Sequence, residues 1–449
     1  MKGQKNKILS RQESRHAGGP DFFESNKKNE FLNPAKINCK MKKFKKSQFL
    51  AGICLSVLLL QCCYGNSNKY DSLEKEIDSL FALGDLVGFS SGIIEGDIMV
   101  WSKTCGMTDL KQKIPVNINT LFVLASLSKT VTGAALMTLY DNDKFALDDD
   151  INLFLPFRVR NPKFPDIPIT FRMLLTHTSS LYDNSAYISS LYGCGDQTHI
   201  SFENYLKNCY TPEGSKYDSL NFAKYKPGES WKYCNSGYVF IAYLVECISK
   251  KSFPVYCSEN LFIPMEMNES GWLLREIDSK KIALNYISEA EAKQDPDDPS
   301  IDKEIIDGKH GICHYAWPGY SDGCLRTSIP QFANFMIMFM NNGKFKDKQI
   351  LKPETVQSIL TPQGVNGMGT SPKYKRLDMG LTWWLRETET EYFFSHGGGG
   401  TGIATFAFFD PIKKYGAVFF ITGDWHDKEY DRKFLGLFRK HFNNVKKND

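Results

Sequence analysis

Two apolar patterns, kept apart along the chain, predict an α+β fold. Strand-like runs bounded by turn residues lie near both ends, while apolar residues at helical spacing dominate the middle and recur near each terminus. Inside this frame one apolar segment, Leu121 to Ala135, delivers a serine and a lysine three residues apart and is the first chemical candidate.

The elements follow in order. Leu73, Ile77, Leu80 and Phe81 recur at helical spacing, and the helix ends near Gly84. Val87 to Ile94 and Ile98 to Lys103 are strand-like and are separated by Glu95-Gly96-Asp97, which predicts a hairpin. Pro115 to Thr120 leads into the segment around Ser126, and Val131, Ala134, Ala135 and Leu139 then bury one helix face. Lys144 to Asp150 is a turn, and Ile169 to Ser179 is a short helix running into a polar turn. Residues 180–225 are tyrosine-rich and loop-like, Asn235 to Cys247 is an apolar helix, and residues 285–310 are acidic and loop-like. Gln331 to Met340 is an apolar helix whose Met336, Met338 and Met340 serve as core packing. Glu391 to Ser395 is a strand entering His396-Gly397-Gly398-Gly399-Gly400. Ala404 to Phe409 then pairs with Tyr415 to Thr422 through a turn at Pro411 to Lys414, and a last helix spans about 428–442.

With 449 residues the chain suits one large domain or two ordinary ones, and its composition is that of a soluble globular protein without repeats. The net charge of +4 is unevenly spread: residues 1–48 hold thirteen Lys/Arg against four Asp/Glu, a net of +9, which leaves the remainder at −5. A mildly acidic body excludes nucleic acid as a partner. The basic head fits a targeting segment. Lys42, Lys43, Lys45 and Lys46 precede an apolar run from Phe49 to Cys63, too short to span a bilayer and right for the core of an export signal. Residues 1–63 are therefore expected to be a leader and export signal, or a membrane or lipid anchor, with Cys62 or Cys63 as the lipid acceptor and the cell envelope as destination.

Ser126 and Lys129 would project from one face if a helix begins at Ser126, with the helix N-terminus aiming free N–H groups at whatever reacts there. A serine hydroxyl is a poor nucleophile unless a neighbour takes its proton, and a desolvated lysine can do so. The same spacing recurs at Ser25/Lys28, Ser72/Lys75 and Ser300/Lys303, among charged residues. Only Ser126 has an apolar setting, and its plain alternative is an N-cap serine beside a surface lysine. Tyr233 and Asn235, two apart in a loop after Pro227-Gly228, can face one cleft: a phenol near lysine can lose its proton below its usual pKa, and an amide can hold a substrate carbonyl. The plain reading of Tyr233 is structural. The glycine run after His396 either presents backbone N–H groups to an oxyanion or forms a flexible hairpin loop.

Twelve cysteines suit an oxidising compartment. Cys194/Cys209 and Cys313/Cys324 are the expected local disulfides, and His310, Cys313, His314 and Cys324 form an alternative zinc set of non-standard spacing.

Taken in order, Ser126-x-x-Lys129, Tyr233-x-Asn235 and His396-x-Gly398 resemble the three motifs of the serine β-lactamase and penicillin-binding protein family, in its class C β-lactamase-like branch of DD-carboxypeptidases, D-aminopeptidases and esterases. Leu174 to Ser180, with Ser180 where glycine is usual, and Gly323 to Ser328 resemble two further family stretches. The resemblance implies an antiparallel sheet built from about 85–122 and 376–422, flanked by the terminal helices, with a mostly helical inserted region. It makes residues 64–449 one serine hydrolase domain, the sheet part at about 70–140 and 365–449 and the helical region at about 141–364.

It further implies an acyl-enzyme on Ser126, with Lys129 and Tyr233 managing the proton. The N–H groups of Ser126 and Gly399 would form the oxyanion hole, Asn235 would bind the substrate amide, His396 would contact substrate or tune Tyr233 electrostatically, and Gly398 would be among the substrate-binding residues. No metal or cofactor is implied. His396 stands where true class C β-lactamases carry lysine, and being neutral or only partly charged near pH 7 it shifts the expectation. A D-amino-acid peptidase or DD-carboxypeptidase acting on small peptides comes first, then an esterase, then a β-lactamase, and last an envelope binding protein without turnover.

Overall fold

The computed structural model describes residues 69–83, 85–196, 200–369, 374–425 and 429–448. The expected leader over residues 1–63, with its anchor, lies outside them. Among the described residues no helix is long and apolar enough to cross a membrane.

An eight-stranded antiparallel sheet is assembled from the two ends of the chain. Helix α1 (Asp71–Phe81) precedes β1 (Leu86–Glu95), β2 (Ile98–Asp109) and β3 (Ile114–Pro115). After a long, largely helical middle that contains α2 (Ser128–Asp141), α3 (Asn235–Ser249) and α4 (Ile329–Met340) come β4 (Arg376–Met379), β5 (Trp384–Glu387), β6 (Tyr392–Gly400), β7 (Ile403–Asp410) and β8 (Tyr415–Gly423). Helix α5 (Tyr430–Asn448) closes the chain. The strand order is β4-β5-β6-β7-β8-β1-β2-β3, so β8 pairs with β1 and joins the two halves.

Both faces of this sheet are covered, and the strands are apolar on both sides for that reason. Phe419 on β8 meets Phe434 and Phe438 of α5, with Ala417 and Ile421 on the same face. The alternate residues Val418 and Phe420 belong to the other core, where Phe420 packs on Phe332 of α4. Each such phenylalanine contributes roughly 1.5–3 kcal/mol of burial free energy. The methionines Met336, Met338 and Met340 are buried in the same layer. The turns are built as their residues dictate: Gly96 takes φ +66 between β1 and β2, and Asp410 accepts from the N–H groups of Ile412 and Lys413 between β7 and β8.

Three expectations are corrected. Residues 180–225 are not simply loop: Ser185–Leu191 and Phe202–Tyr210 are helices, each capped by the side chain before it, Asn184 and Ser201. Residues 285–310 contribute to a small three-stranded sheet, with Lys309–Ile312 between Asn285–Ser288 and Ile301–Ile306. Of the acidic residues there, Asp302 and Glu304 are exposed on the strand Ile301–Ile306, while Glu289 and Glu291 lie on the short helix Glu289–Ala292 and the others in turns or irregular chain, and composition alone does not separate these states.

The third concerns the cysteines. The disulfide joins Cys194 to Cys313, across a sequence separation of 119. Gly193-Cys194 pairs with Tyr315-Ala316 as a short antiparallel ladder, which brings the two together. Cys209 and Cys324, the expected partners, are buried elsewhere, and burial pushes both thiols up to about 12. Cys313 is thereby removed from the zinc set, and among the described residues no group of three metal-ligating side chains forms.

Because the disulfide closes so long a loop, replacing both Cys194 and Cys313 by serine is expected to lower stability by about 2–4 kcal/mol. Urea unfolding midpoints of the variant and of wild type, with and without reductant, check this: reductant should move only the wild type.

Candidate active site

Ser126 sits on a 3-10 turn, Ala125–Leu127, that runs directly into α2. The helix proper starts at Ser128, two residues later than the sequence suggested, yet the turn is continuous and Lys129 still lies one turn from Ser126. Ala125 takes φ +46, an uncommon conformation for a residue with a Cβ, and this reverses the chain from the strand Phe122–Val123 into the helix. That strand pairs with Arg326–Thr327 rather than joining the main sheet. The Leu124 carbonyl accepts from the Thr405 hydroxyl of β7 at 2.6 Å, and the Leu124 N–H donates to Leu325 O at 2.8 Å.

The glycine run is strand and not a hairpin loop. Gly397 to Gly400 continue β6 and pair in register with Phe406 to Ile403. A Cβ on Gly398 would lie 2.2 Å from Leu124 O and 2.9 Å from Leu127 N, so the missing side chain is what lets the Ser126 turn lie against the sheet. Gly399 follows on the same strand, opposite Ala404.

Lys129 is wholly buried, 3.1 Å from Ser126 Oγ and bonded to the Asp322 carbonyl at 2.8 Å. Burial pushes its pKa down, opposed by the charges of Asp322 and Asp183. The ring of Tyr233 lies 5.1 Å from the amine. Ser126 is the hydrogen-bonding neighbour of the Tyr233 hydroxyl, at a geometry short of a full bond, and that oxygen is otherwise unpaired. Burial raises the Tyr233 pKa well above the ordinary phenol value. The expectation of a phenol acidified by its lysine is not met: desolvation raises the pKa, and the Ser126 hydrogen bond only partly offsets it.

His396 is buried on β6. Its Nδ1 lies 2.8 Å from Gly397 O. A carbonyl only accepts, so Nδ1 carries the proton and Nε2 presents a lone pair without a partner. Burial, with Lys129 beside it, pushes its pKa down to about 3, so the ring is neutral at pH 7.

Asn235 opens α3, and its backbone N–H and side-chain amide both donate to Asp183 Oδ2, at 2.7 and 3.1 Å. Ser126, Lys129, Tyr233 and His396 gather around one buried point, while Asn235 is tied to a carboxylate beside it.

Three residues escaped the sequence reading. Asp183 accepts from Asn235, from the N–H and hydroxyl of Ser236 and from the Cys234 thiol, and so gathers the first donors of α3. His177, with φ +57, brackets Tyr233: its carbonyl accepts from Lys232 N–H and its Nδ1 from Cys234 N–H, and its ring lies 4.3 Å from the Tyr233 ring. Asp322 lies beside Lys129. His177 belongs to a stretch already singled out, but Asp183 and Asp322 stand in no motif and left no signal in the sequence.

A family model described as Beta-lactamase matches residues 73–437. The chain is similar to penicillin-binding protein 4* of Bacillus subtilis (strain 168), 26% identical over 375 residues that cover 80% of this chain and 74% of the relative. In fold it is similar to the D-amino acid amidase from Ochrobactrum anthropi SV3, with a TM-score of 0.64 at 17% identity over 84% of this chain and 100% of that one. It is likewise similar to the octameric penicillin-binding protein homologue from Pyrococcus abyssi, with a TM-score of 0.60 at 22% identity over 78% and 73%.

The contact at Gly398 makes a test of this geometry. In Gly398→Ala the added methyl group would meet Leu124 O, Thr405 Oγ1 and Leu127 N, so it should displace the Ser126 turn. Acylation of Ser126 by a reactive ester is expected to slow by at least about 10²-fold, the scale on which misplacing a reacting group acts. Stopped-flow acylation rates beside a thermal melt read both effects.

Proposed function

The chain belongs to the β-lactamase family of serine hydrolases, and we propose that within it the protein is a D-amino-acid peptidase, DD-carboxypeptidase-like in chemistry, that works through an acyl-enzyme on Ser126. The observation that carries the choice is His396. Its ring is neutral and offers a lone pair, so it can accept from a substrate N–H and gives a carboxylate no ion pair. A peptide or amide substrate supplies that N–H, and a simple ester lacks it.

The chemistry follows from the proton positions. Lys129, whose pKa burial lowers, accepts in its neutral form the Ser126 proton as Oγ bonds to the substrate carbonyl carbon. The N–H groups of Ser126 and Gly399 receive the oxyanion, and Asn235 Oδ1 accepts from the substrate amide. As the C–N bond breaks, the Tyr233 hydroxyl gives its proton to the leaving amine and regains one from Lys129. Water then enters by the same route and releases the acid. Burial keeps Tyr233 protonated, which suits a proton donor and relay and leaves the base role to Lys129. The basic Lys42 to Lys46 stretch and the Phe49 to Cys63 run after it support export to the cell envelope.

Intact-protein mass after exposure to a fluorescent penicillin, beside turnover of D-Ala-D-Ala peptides, a D-amino-acid amide and a p-nitrophenyl ester, tests the reading. Wild type is expected to hydrolyse the D-peptide or D-amide, and Ser126→Ala to lose at least about 10³-fold in kcat/KM. Rapid release of hydrolysed penicillin would instead mark a β-lactamase, and turnover of the ester alone an esterase.

The pH dependence carries a definite sign. The Lys129 pKa is lowered and its neutral form is the active one, so kcat/KM rises with pH through that pKa, which lies below the ordinary lysine value. The Tyr233 pKa is raised and its protonated form is required, so activity holds to about pH 9, below the ordinary phenol value. A kcat/KM profile from pH 4 to 10 on a non-titrating substrate measures both limbs, and an alkaline loss near neutrality would contradict the assignment of Tyr233.

A further inference from the structure

Lys129 has a carboxylate for a neighbour that takes no part in the scheme above. Asp322 ends a 3-10 turn, Tyr320–Asp322, and is buried with Oδ2 at 3.7 Å from Lys129 Nζ. Its Oδ1 accepts from Trp317 Nε1 at 3.0 Å, which fixes the carboxyl plane and leaves Oδ2 towards the amine. The turn itself is fastened on both sides. Lys129 donates to the Asp322 carbonyl, Thr132 of α2 donates to Ser321 O at 2.6 Å, and the Ser321 hydroxyl donates to Tyr238 O of α3 at 3.3 Å. Asp322 is thus held rigidly within Coulombic reach of the base, yet too far to take one of its hydrogen bonds.

We propose that Asp322 is a positioning residue that sets the pH at which Lys129 gives up its proton, and with it the acid limit of Ser126 acylation. The proposal rests on Lys129 acting as the base. An opposite charge at this separation holds an amine protonated by about 1–3 pKa units against the effect of burial. The other groups facing the pair act differently. Asp183 spreads its charge over the donors of Cys234, Asn235 and Ser236. His177 and His396 are neutral by burial, and burial likewise holds Tyr233, Tyr238, Cys234 and Cys324 in their uncharged forms, with Tyr192 and Tyr315 beyond Asp322. That leaves the Asp322 carboxylate, itself raised to about 6 by burial against the pull of Lys129, as the largest charge that opposes desolvation of the lysine, ahead of Asp183.

The test is the acid limb of the second-order acylation rate, from pH 4 to 8, in wild type and Asp322→Asn, with fluorescent penicillin and a p-nitrophenyl ester as probes. Asparagine keeps the acceptor for Trp317 and the backbone carbonyl for Lys129, and removes only the charge. The limb is expected to move to lower pH by about 1–3 units, so that below the wild-type midpoint and above about pH 6, where the Asp322 of wild type is ionised, the variant acylates about 10-fold or more faster than wild type. An unmoved limb, whatever the change in plateau rate, overturns the role given to Asp322, because loss of packing lowers the plateau without moving a pKa. Should Asp322→Asn melt below assay temperature, Asp322→Ser, which also leaves the backbone carbonyl in place, takes its position under the same criterion. Absence of acylation in wild type at every pH would sink the Ser126 acyl-enzyme itself, which separates the two failures.

Discussion

A lysine side chain with no water around it is the constraint on which the site depends. An ammonium group out of water is costly unless it is paired, and the lowered pKa of Lys129 is the form that cost takes. The amine is surrounded by the Ser126 hydroxyl, the Asp322 carbonyl and two tyrosine rings, from Tyr233 and Tyr238. To keep it dry, three parts of the chain must close on one point: the first turn of α2, the loop that enters α3, and the turn before α4. The sheet supplies the fourth wall, and it does so through a residue that has no side chain, Gly398.

The polar groups thereby buried have to be satisfied, and two carboxylates do most of it. Asp183 collects the donors at the start of α3, and Asp322 takes the indole of Trp317 while its backbone holds Lys129. Such networks are rigid when complete and unfavourable when broken. The atoms left unpaired are therefore informative. Tyr233 Oη and His396 Nε2 both lie at the reacting point, where a substrate would complete them. His177 carries strain at φ +57 and uses both its carbonyl and its ring nitrogen to hold the residues on either side of Tyr233. Backbone strain of this kind persists only where the surroundings over-determine it.

The sequence made some elements legible and left others hidden, and the difference is one of range. The β1–β2 hairpin, the β7–β8 hairpin and the methionine helix α4 are written in local patterns: turn residues at fixed offsets and apolar periodicity. Residues 285–310 were hidden because their strands expose charged side chains, and strand pairing there is decided by partners and not by composition. The disulfide was hidden for the same reason. Cys194 meets Cys313 only because a two-residue ladder aligns segments 119 positions apart, and spacing along the chain favoured nearer partners that in fact lie buried elsewhere.

By itself, then, the sequence determined which residue types could react and in what order they come: Ser126 with Lys129, Tyr233 with Asn235, and His396 before its glycines. These are short-range facts, fixed by covalent spacing and by the few conformations such spacings allow. Only the tertiary structure decided the protonation states that give those residues different work. Burial lowers Lys129, raises Tyr233 and neutralises His396, and Asp322 arrives beside the lysine from 193 residues away. A pKa depends on the water a group has lost and on the charges it has met, and both are set by segments remote in sequence that the fold brings together.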